Sequence, residues 1–347
     1  MDDSRDWIRR LPKAELHVHL DGSLRPRTML DLAEDARLEL PASEPDALAE
    51  AMLVRDVESL EEYLERYRYT VALMQTPAAL CRIAWELVED LADENVRYVE
   101  TRFCPALHSP GMREEEAIEA VLDGLHRGEQ QGGDEERCIA RLIVCGLRTL
   151  PSKVSERLAE LAVRYRDRGV VAFDLAGAED GFPAKEHAGA FAIAREGGLR
   201  RTCHAGEGYG PASVMQALED CGAERIGHGT RIREDEAVLK TVRDRGVPLE
   251  VCVTSNVHTR TVESHEAHPI RQYFDQGIAV TLNTDGRLMD GITLTDEYRT
   301  AHERLGFSAE ELGQVVLNAC EHAFLPDSDR TALCTRVRRQ LEETHAA

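Results

Sequence analysis

Residues 201–230 read RTCHAGEGYGPASVMQALEDCGAERIGHGT, and their pattern is strand, helix, strand. RTCHAGE (201–207) and RIGHGT (225–230) are short runs that end in polar residues flanked by glycine. Between them ASVMQALEDC (212–221) places its apolar residues at helical spacing. Short connections on both sides of one helix imply two parallel strands joined by a right-handed crossover. The same alternation extends both ways along the chain. ELHVHL (15–20), VRYVETRF (96–103), RLIVCGL (141–147) and VVAFDLAG (170–177) precede it, and PLEVCVTSN (248–256) and IAVTLNTD (278–285) follow. Helical stretches such as AALCRIAWELVEDLADE, SERLAELAVRYRDR and DEAVLKTVRDR separate them. Eight strands spread over roughly 270 residues point to the α/β class and a closed (β/α)8 TIM barrel, rather than an open doubly wound sheet.

Two segments exceed a minimal barrel. Residues 21–95 form a mostly helical insertion after the first strand, and residues 308–347 read as extra C-terminal helices. No linker or internal repeat divides the chain, so one domain over 1–347 is expected, with GEQQGGDEE (128–136) as an exposed loop. Composition narrows the function. Forty-two Lys+Arg against 64 Asp+Glu give a net charge of −22, which argues against nucleic acid or an anionic membrane as partner. No run approaches the roughly 18 apolar residues of a membrane span. The N-terminal MDDSRDWIRRLPKAE has no signal-peptide character, so a cytoplasmic protein is expected. Nine scattered cysteines without a CxxC pair are neither a disulfide framework nor a zinc ribbon.

The chemistry-bearing residues fall at the ends of the expected strands, where barrel enzymes build their sites. His17 and His19 are two apart on a strand and face the same side. His204 ends the fifth strand with Glu207 in the turn after it, His228 ends the sixth between Gly227 and Gly229, and Asp285 ends the eighth. Any one histidine is ordinary; the whole set at strand ends is not. Three histidines and an aspartate suit one borderline divalent ion, zinc first. Two-metal barrels add a lysine at the end of the fourth strand. Here that strand ends Asp174-Leu175-Ala176-Gly177, so one Zn2+ per chain is expected.

The ordered motifs HVHLDGSL, DLAG, HAGE, GHGT, TSN and NTD closely resemble the adenosine deaminase family of metal-dependent hydrolases, from about Leu11 to about residue 335. The resemblance implies His17, His19, His204 and Asp285 as metal ligands, Glu207 as proton donor, and His228 beside the attacking water. His228 and Asp285 would take that water's proton. It further implies that the Gly177 amide meets the purine, that Asp21 accepts from a ribose 5′-hydroxyl, and that His19 also borders the substrate. The implied activity is zinc-dependent deamination of a 6-aminopurine nucleoside, adenosine or 2′-deoxyadenosine first. The same chemistry on a 5′-substituted nucleoside, such as aminodeoxyfutalosine or methylthioadenosine, is the alternative. A fold that has lost catalysis and merely binds nucleosides is disfavoured, because every implied residue is present. The small nucleoside is the only partner that the sequence suggests; it names no protein partner.

Three features stay open. Ser59–Tyr67 resembles a helix that lids the pocket, with Tyr63 and Tyr67 toward substrate, but plain amphipathic packing gives the same pattern. Gly286 stands where relatives of this family carry a side chain that contacts purine N7, so that contact is absent, comes from a neighbour such as Arg287, or signals a different substrate. His258, His265 and His268 fit a solvated loop better than a second metal site.

Overall fold

A computed structural model of the chain describes residues 7–54, 57, 60–131, 133 and 135–346. Eight strands form one sheet: β1 (Lys13–His19), β2 (Val96–Phe103), β3 (Ile139–Leu147), β4 (Val170–Ala176), β5 (Arg200–Ala205), β6 (Arg225–His228), β7 (Leu249–Val251) and β8 (Val280–Leu282). They lie in sequence order and every adjacent pair is parallel. The chain just past β8 closes the barrel on β1. Asp285 bridges Val18, with His19 N donating to Asp285 O at 2.7 Å and Asp285 N to His17 O at 3.0 Å. Closure therefore runs through the residues on which the chemical reading rests.

Strands β7 and β8 are much shorter than the apolar runs that contain them. Val253–His258 leaves the sheet as a helix, because Val253 N and Thr254 N both donate to the buried Glu297 carboxylate. After β8, Thr284 N is drawn to the Glu15 carboxylate at 2.7 Å and Asp285 adopts φ 61°. The expected lid helix is likewise broken in two, Leu60–Leu64 and Tyr67–Leu73, joined by a tight turn at 65–66; Ser59 lies outside the described residues. Tyr63 and Tyr67 thus project from different helices. The expected loop at 128–136 begins later, since the helix Glu114–Glu129 takes its first two residues.

The barrel interior is filled by charge rather than by layers of aliphatic side chains alone. At the N-terminal end Phe324 plugs the barrel, with the Arg225 guanidinium 3.5 Å above its ring. Arg225 pairs with Glu100 and with Glu250, and Arg102 above it joins Glu250 to Asp174 at 2.9 Å each. Arg102, Asp174 and Glu250 are fully buried. Among the described residues no helix is long and apolar enough to cross a membrane.

Candidate active site

The imidazoles stand directly on this buried charge stack. His17 Nδ1 lies 2.9 Å from Glu250 Oε2, and His204 Nδ1 lies 3.0 Å from Asp174 Oδ2. Both carboxylates accept, which puts the ring proton on Nδ1 and turns the Nε2 lone pair toward the barrel mouth. Burial opposes the charge on Glu250 and Asp174, yet Arg102 and the imidazoles outweigh it and hold both well below the usual carboxylate range. Arg102 therefore aims two imidazoles through two carboxylates. Arg102→Met would leave those carboxylates buried with too little countercharge, and a loss of about 3–5 kcal/mol in denaturant-measured stability is expected.

Above the stack the four expected ligands converge. His19 Nε2 is 3.0 Å from His204 Nε2 and 3.3 Å from Asp285 Oδ1, and His17 Nε2 is 3.4 Å from the same oxygen. His17 Nε2 is buried with no hydrogen-bond partner. His204 Nε2 presents a lone pair here, and with His19 Nε2, His17 Nε2 and the Asp285 oxygen around one point the donor set suits a divalent cation. Asp285 is oriented by Ser255, whose hydroxyl donates to Oδ2 at 2.7 Å. Burial pushes the Asp285 pKa up, but the His17 contact and the neighbouring imidazoles prevail, and it lies well below its ordinary value. The set whose donor atoms all lie within 4.8 Å of one another is His17, His204, His228 and Asp285, which takes in His228 and leaves out His19. His228 is thus a fifth group at the cradle. His228 and Asp285 both hold left-handed φ, 62° and 61°, a strain that rigid surroundings must impose.

Glu207 closes one side, its Oε2 3.5 Å from His228 Nε2 and its Oε1 buried without a partner. Burial, then the Asp285 and Glu179 charges, push its pKa well above the normal carboxylate range. Glu179 fixes the turn that carries it, accepting from Gly206 N at 2.7 Å and Glu207 N at 2.9 Å. A cavity of about 530 Å³ opens over these groups, large enough for a small organic molecule. His19, Asp21, Tyr63, Tyr67 and Gly177 line it. Asp21 is buried, its Oδ1 has no hydrogen-bond partner and lies 3.9 Å from His19 Nδ1, and burial raises its pKa to about 7.

The residues read from sequence are therefore gathered at one place, and the two tyrosines face the cavity. A Cβ added to Gly286 would fall 2.8 Å from the hydroxyls of both Tyr63 and Tyr67. Those hydroxyls occupy the space that a side chain at 286 would need. Arg287 is turned away, bound to Glu94, and does not border the cavity. The three later histidines form no metal site; they border an irregular, partly exposed segment, and each ring has a partner. His258 binds Asp290 at 2.7 Å, His265 lies 3.3 Å from Thr254 Oγ1, and His268 is buried against Asn256. Sequence reasoning gave no role to Asp174, Glu179, Glu250, Ser255 or Asn256, although Asp174 lies in the DLAG motif and Ser255 and Asn256 in TSN. Asp174 and Glu250 did leave a signal, each a lone carboxylate inside an apolar strand.

Comparison with known proteins agrees with this geometry. The adenosine deaminase family profile matches residues 12–340. Over 351 aligned residues the chain is 42% identical to the adenosine deaminase of Mycobacterium avium (strain 104), covering 96% of this chain and 95% of that one. It is 40% identical to a probable adenosine deaminase of Dictyostelium discoideum over 96% of its own length, and there it spans only 43% of the relative. Among solved structures, the N6-methyl-AMP deaminase of Arabidopsis thaliana superposes with TM-score 0.84 at 30% identity, covering 96% of this chain and 98% of that one. The chain belongs to the adenosine deaminase family.

Proposed function

We propose that the protein hydrolyses the exocyclic C6–N bond of a 6-aminopurine nucleoside, adenosine and 2′-deoxyadenosine before others, using one zinc ion held by His17, His19, His204 and Asp285. The observation that carries this is the convergence of those four side chains beside Glu207, a carboxyl whose pKa burial pushes up, under a cavity large enough for a nucleoside. The nitrogen and oxygen donor set suits zinc, which when bound supplies Lewis acidity and brings the pKa of coordinated water toward about 7.

The chain's own groups account for the remaining proton traffic. Asp285, held anionic, accepts a proton from the attacking water. Glu207, held protonated, donates to N1 and so makes C6 electrophilic as the C6–O bond forms. The proton on Asp285 then passes to the amino group, the C6–N bond breaks, and the C6–OH proton goes to Glu207, restoring its acid form as ammonia and a 6-oxopurine leave. Asp21 accepts from the ribose 5′-hydroxyl, and the Gly177 N–H meets the opposite edge of the base. The free state of all nine cysteines suits a reducing cytoplasm.

Asp21 also sets the substrate class. A 5′-phosphate would meet a buried carboxylate, so kcat/KM for AMP should lie at least about tenfold below that for adenosine, a penalty of roughly 1.4 kcal/mol or more. Recognition at N7 falls to the lid tyrosines. In a purine N1 and N7 lie on opposite sides of the C6 amino group; Glu207 serves N1, and Tyr63 and Tyr67 adjoin Gly286, the residue after Asp285. Tyr63 spends its proton on Asp290 Oδ2 at 3.1 Å, and Tyr67, whose hydroxyl meets that of Tyr63, is assigned as the donor for substrate. Tyr67→Phe should lower kcat/KM for adenosine about three- to tenfold and leave 7-deazaadenosine nearly unchanged. A steady-state comparison of the two substrates in both proteins tests this, and an equal loss for both would sink it.

A further inference from the structure

His228 faces both the metal cradle and Glu207, and its contribution depends on which ring nitrogen carries the proton. A chain of hydrogen bonds behind it decides this, starting from a group with no choice. The backbone N–H of Ile270 donates to His268 Nδ1 at 3.1 Å. An amide N–H can only donate, so Nδ1 of His268 is unprotonated and the proton of the neutral ring is on Nε2. His268 Nε2 lies 3.1 Å from Asn256 Oδ1 and must donate to it. The Thr230 hydroxyl reaches the same Oδ1 at 2.5 Å. Two partners on one oxygen fix the Asn256 amide, and its NH2 then points at His228 Nδ1, 3.1 Å away. His228 Nδ1 is consequently an acceptor. Its proton sits on Nε2, directed at Glu207 and the cradle.

His268, Asn256 and Thr230 are all buried, so no solvent competes for these bonds. His268 is kept neutral by burial first and by Arg233 and His265 nearby, with its pKa lowered to about 3. The turn that carries the relay is itself anchored, because Tyr273 donates its hydroxyl to Thr230 O at 2.7 Å.

We infer that Asn256, set by His268, is a positioning residue that locks His228 as a hydrogen-bond donor at Nε2. In that form His228 is neither a metal ligand nor the base. It resolves the five-group cradle into four ligands and one donor. It leaves Asp285 as the acceptor for the water's proton, and gives His228 the task of holding the water oxygen and stabilising charge that develops there. The tautomer stands on the hydrogen bonds alone; its catalytic consequence rests on the deaminase reading.

The test is a long-range ¹H–¹⁵N spectrum of zinc-loaded protein labelled in histidine, with the His228 signal identified by its disappearance in His228→Gln. The expected His228 pattern has a protonated Nε2 and an unprotonated Nδ1. A protonated Nδ1, or an Nε2 signal typical of metal coordination, would overturn the assignment with no variant of Asn256 needed. Asn256→Asp presents a carboxylate that accepts from Nδ1. It should reverse the tautomer, keep the zinc content, and lower kcat for adenosine on the order of 10²-fold. A reversed tautomer with kcat unchanged would overturn the catalytic role. A parent protein with the expected tautomer but no turnover of adenosine would instead count against the deaminase reading and leave the relay standing.

Discussion

Glu207→Gln will leave the protein folded and metal-loaded while lowering kcat for adenosine by about 10²–10⁴-fold, the range for losing a positioned general acid. Glutamine matches glutamate in shape, and the Glu179 contacts that hold the turn are to backbone N–H groups that the substitution keeps. Only the transferable proton is removed. The pH profile supplies a second readout. Because burial raises the Glu207 pKa, the acid form required for turnover is present below that pKa, and activity falls as pH rises through it. The basic limb that Glu207 causes should therefore vanish in the variant. Asp285 is displaced the other way, so its basic form persists through neutrality and its limb lies on the acid side. Zinc analysis with stopped-flow turnover decides the matter. A variant within a few-fold of the parent would remove Glu207 from the mechanism.

The second large effect is loss of the ion itself. Chelation followed by gel filtration should reduce turnover on the order of 10³-fold or more, since a Lewis acid contributes several kcal/mol to such a transition state. Stoichiometric zinc should restore it. Asp285→Asn should do equal damage by a different route. It weakens the cradle and removes the acceptor for the water's proton, and added zinc should not rescue it. Full activity in the stripped protein would contradict the role given to the four ligands.

The residues gathered at the candidate metal site were legible in sequence because barrel geometry turns strand ends into a code. His17 and His19 share a face, and His204, His228 and Asp285 each follow an apolar run. That reading needs only the period of a strand and the place where barrels put their chemistry. Asp174 and Glu250 were harder to see. Their purpose depends on Arg102, which approaches from β2 across the barrel, and no local pattern reports a contact across a barrel. The lid helix was misread because helical periodicity continues through residues 65–66, where the backbone tightens into a turn. The Asn256 relay was wholly hidden. It joins the β6 end, the helix after β7 and the turn at His268, and only the folded chain brings these three together.

Anomalous diffraction at the zinc edge, from crystals of metal-loaded protein, decides whether these four side chains hold the ion. One strong peak is expected about 2.0–2.2 Å from Nε2 of His17, His19 and His204 and from a carboxylate oxygen of Asp285, with His228 outside bonding distance. No peak at that point, or an ion bound by His228 with His19 turned away, would contradict that assignment.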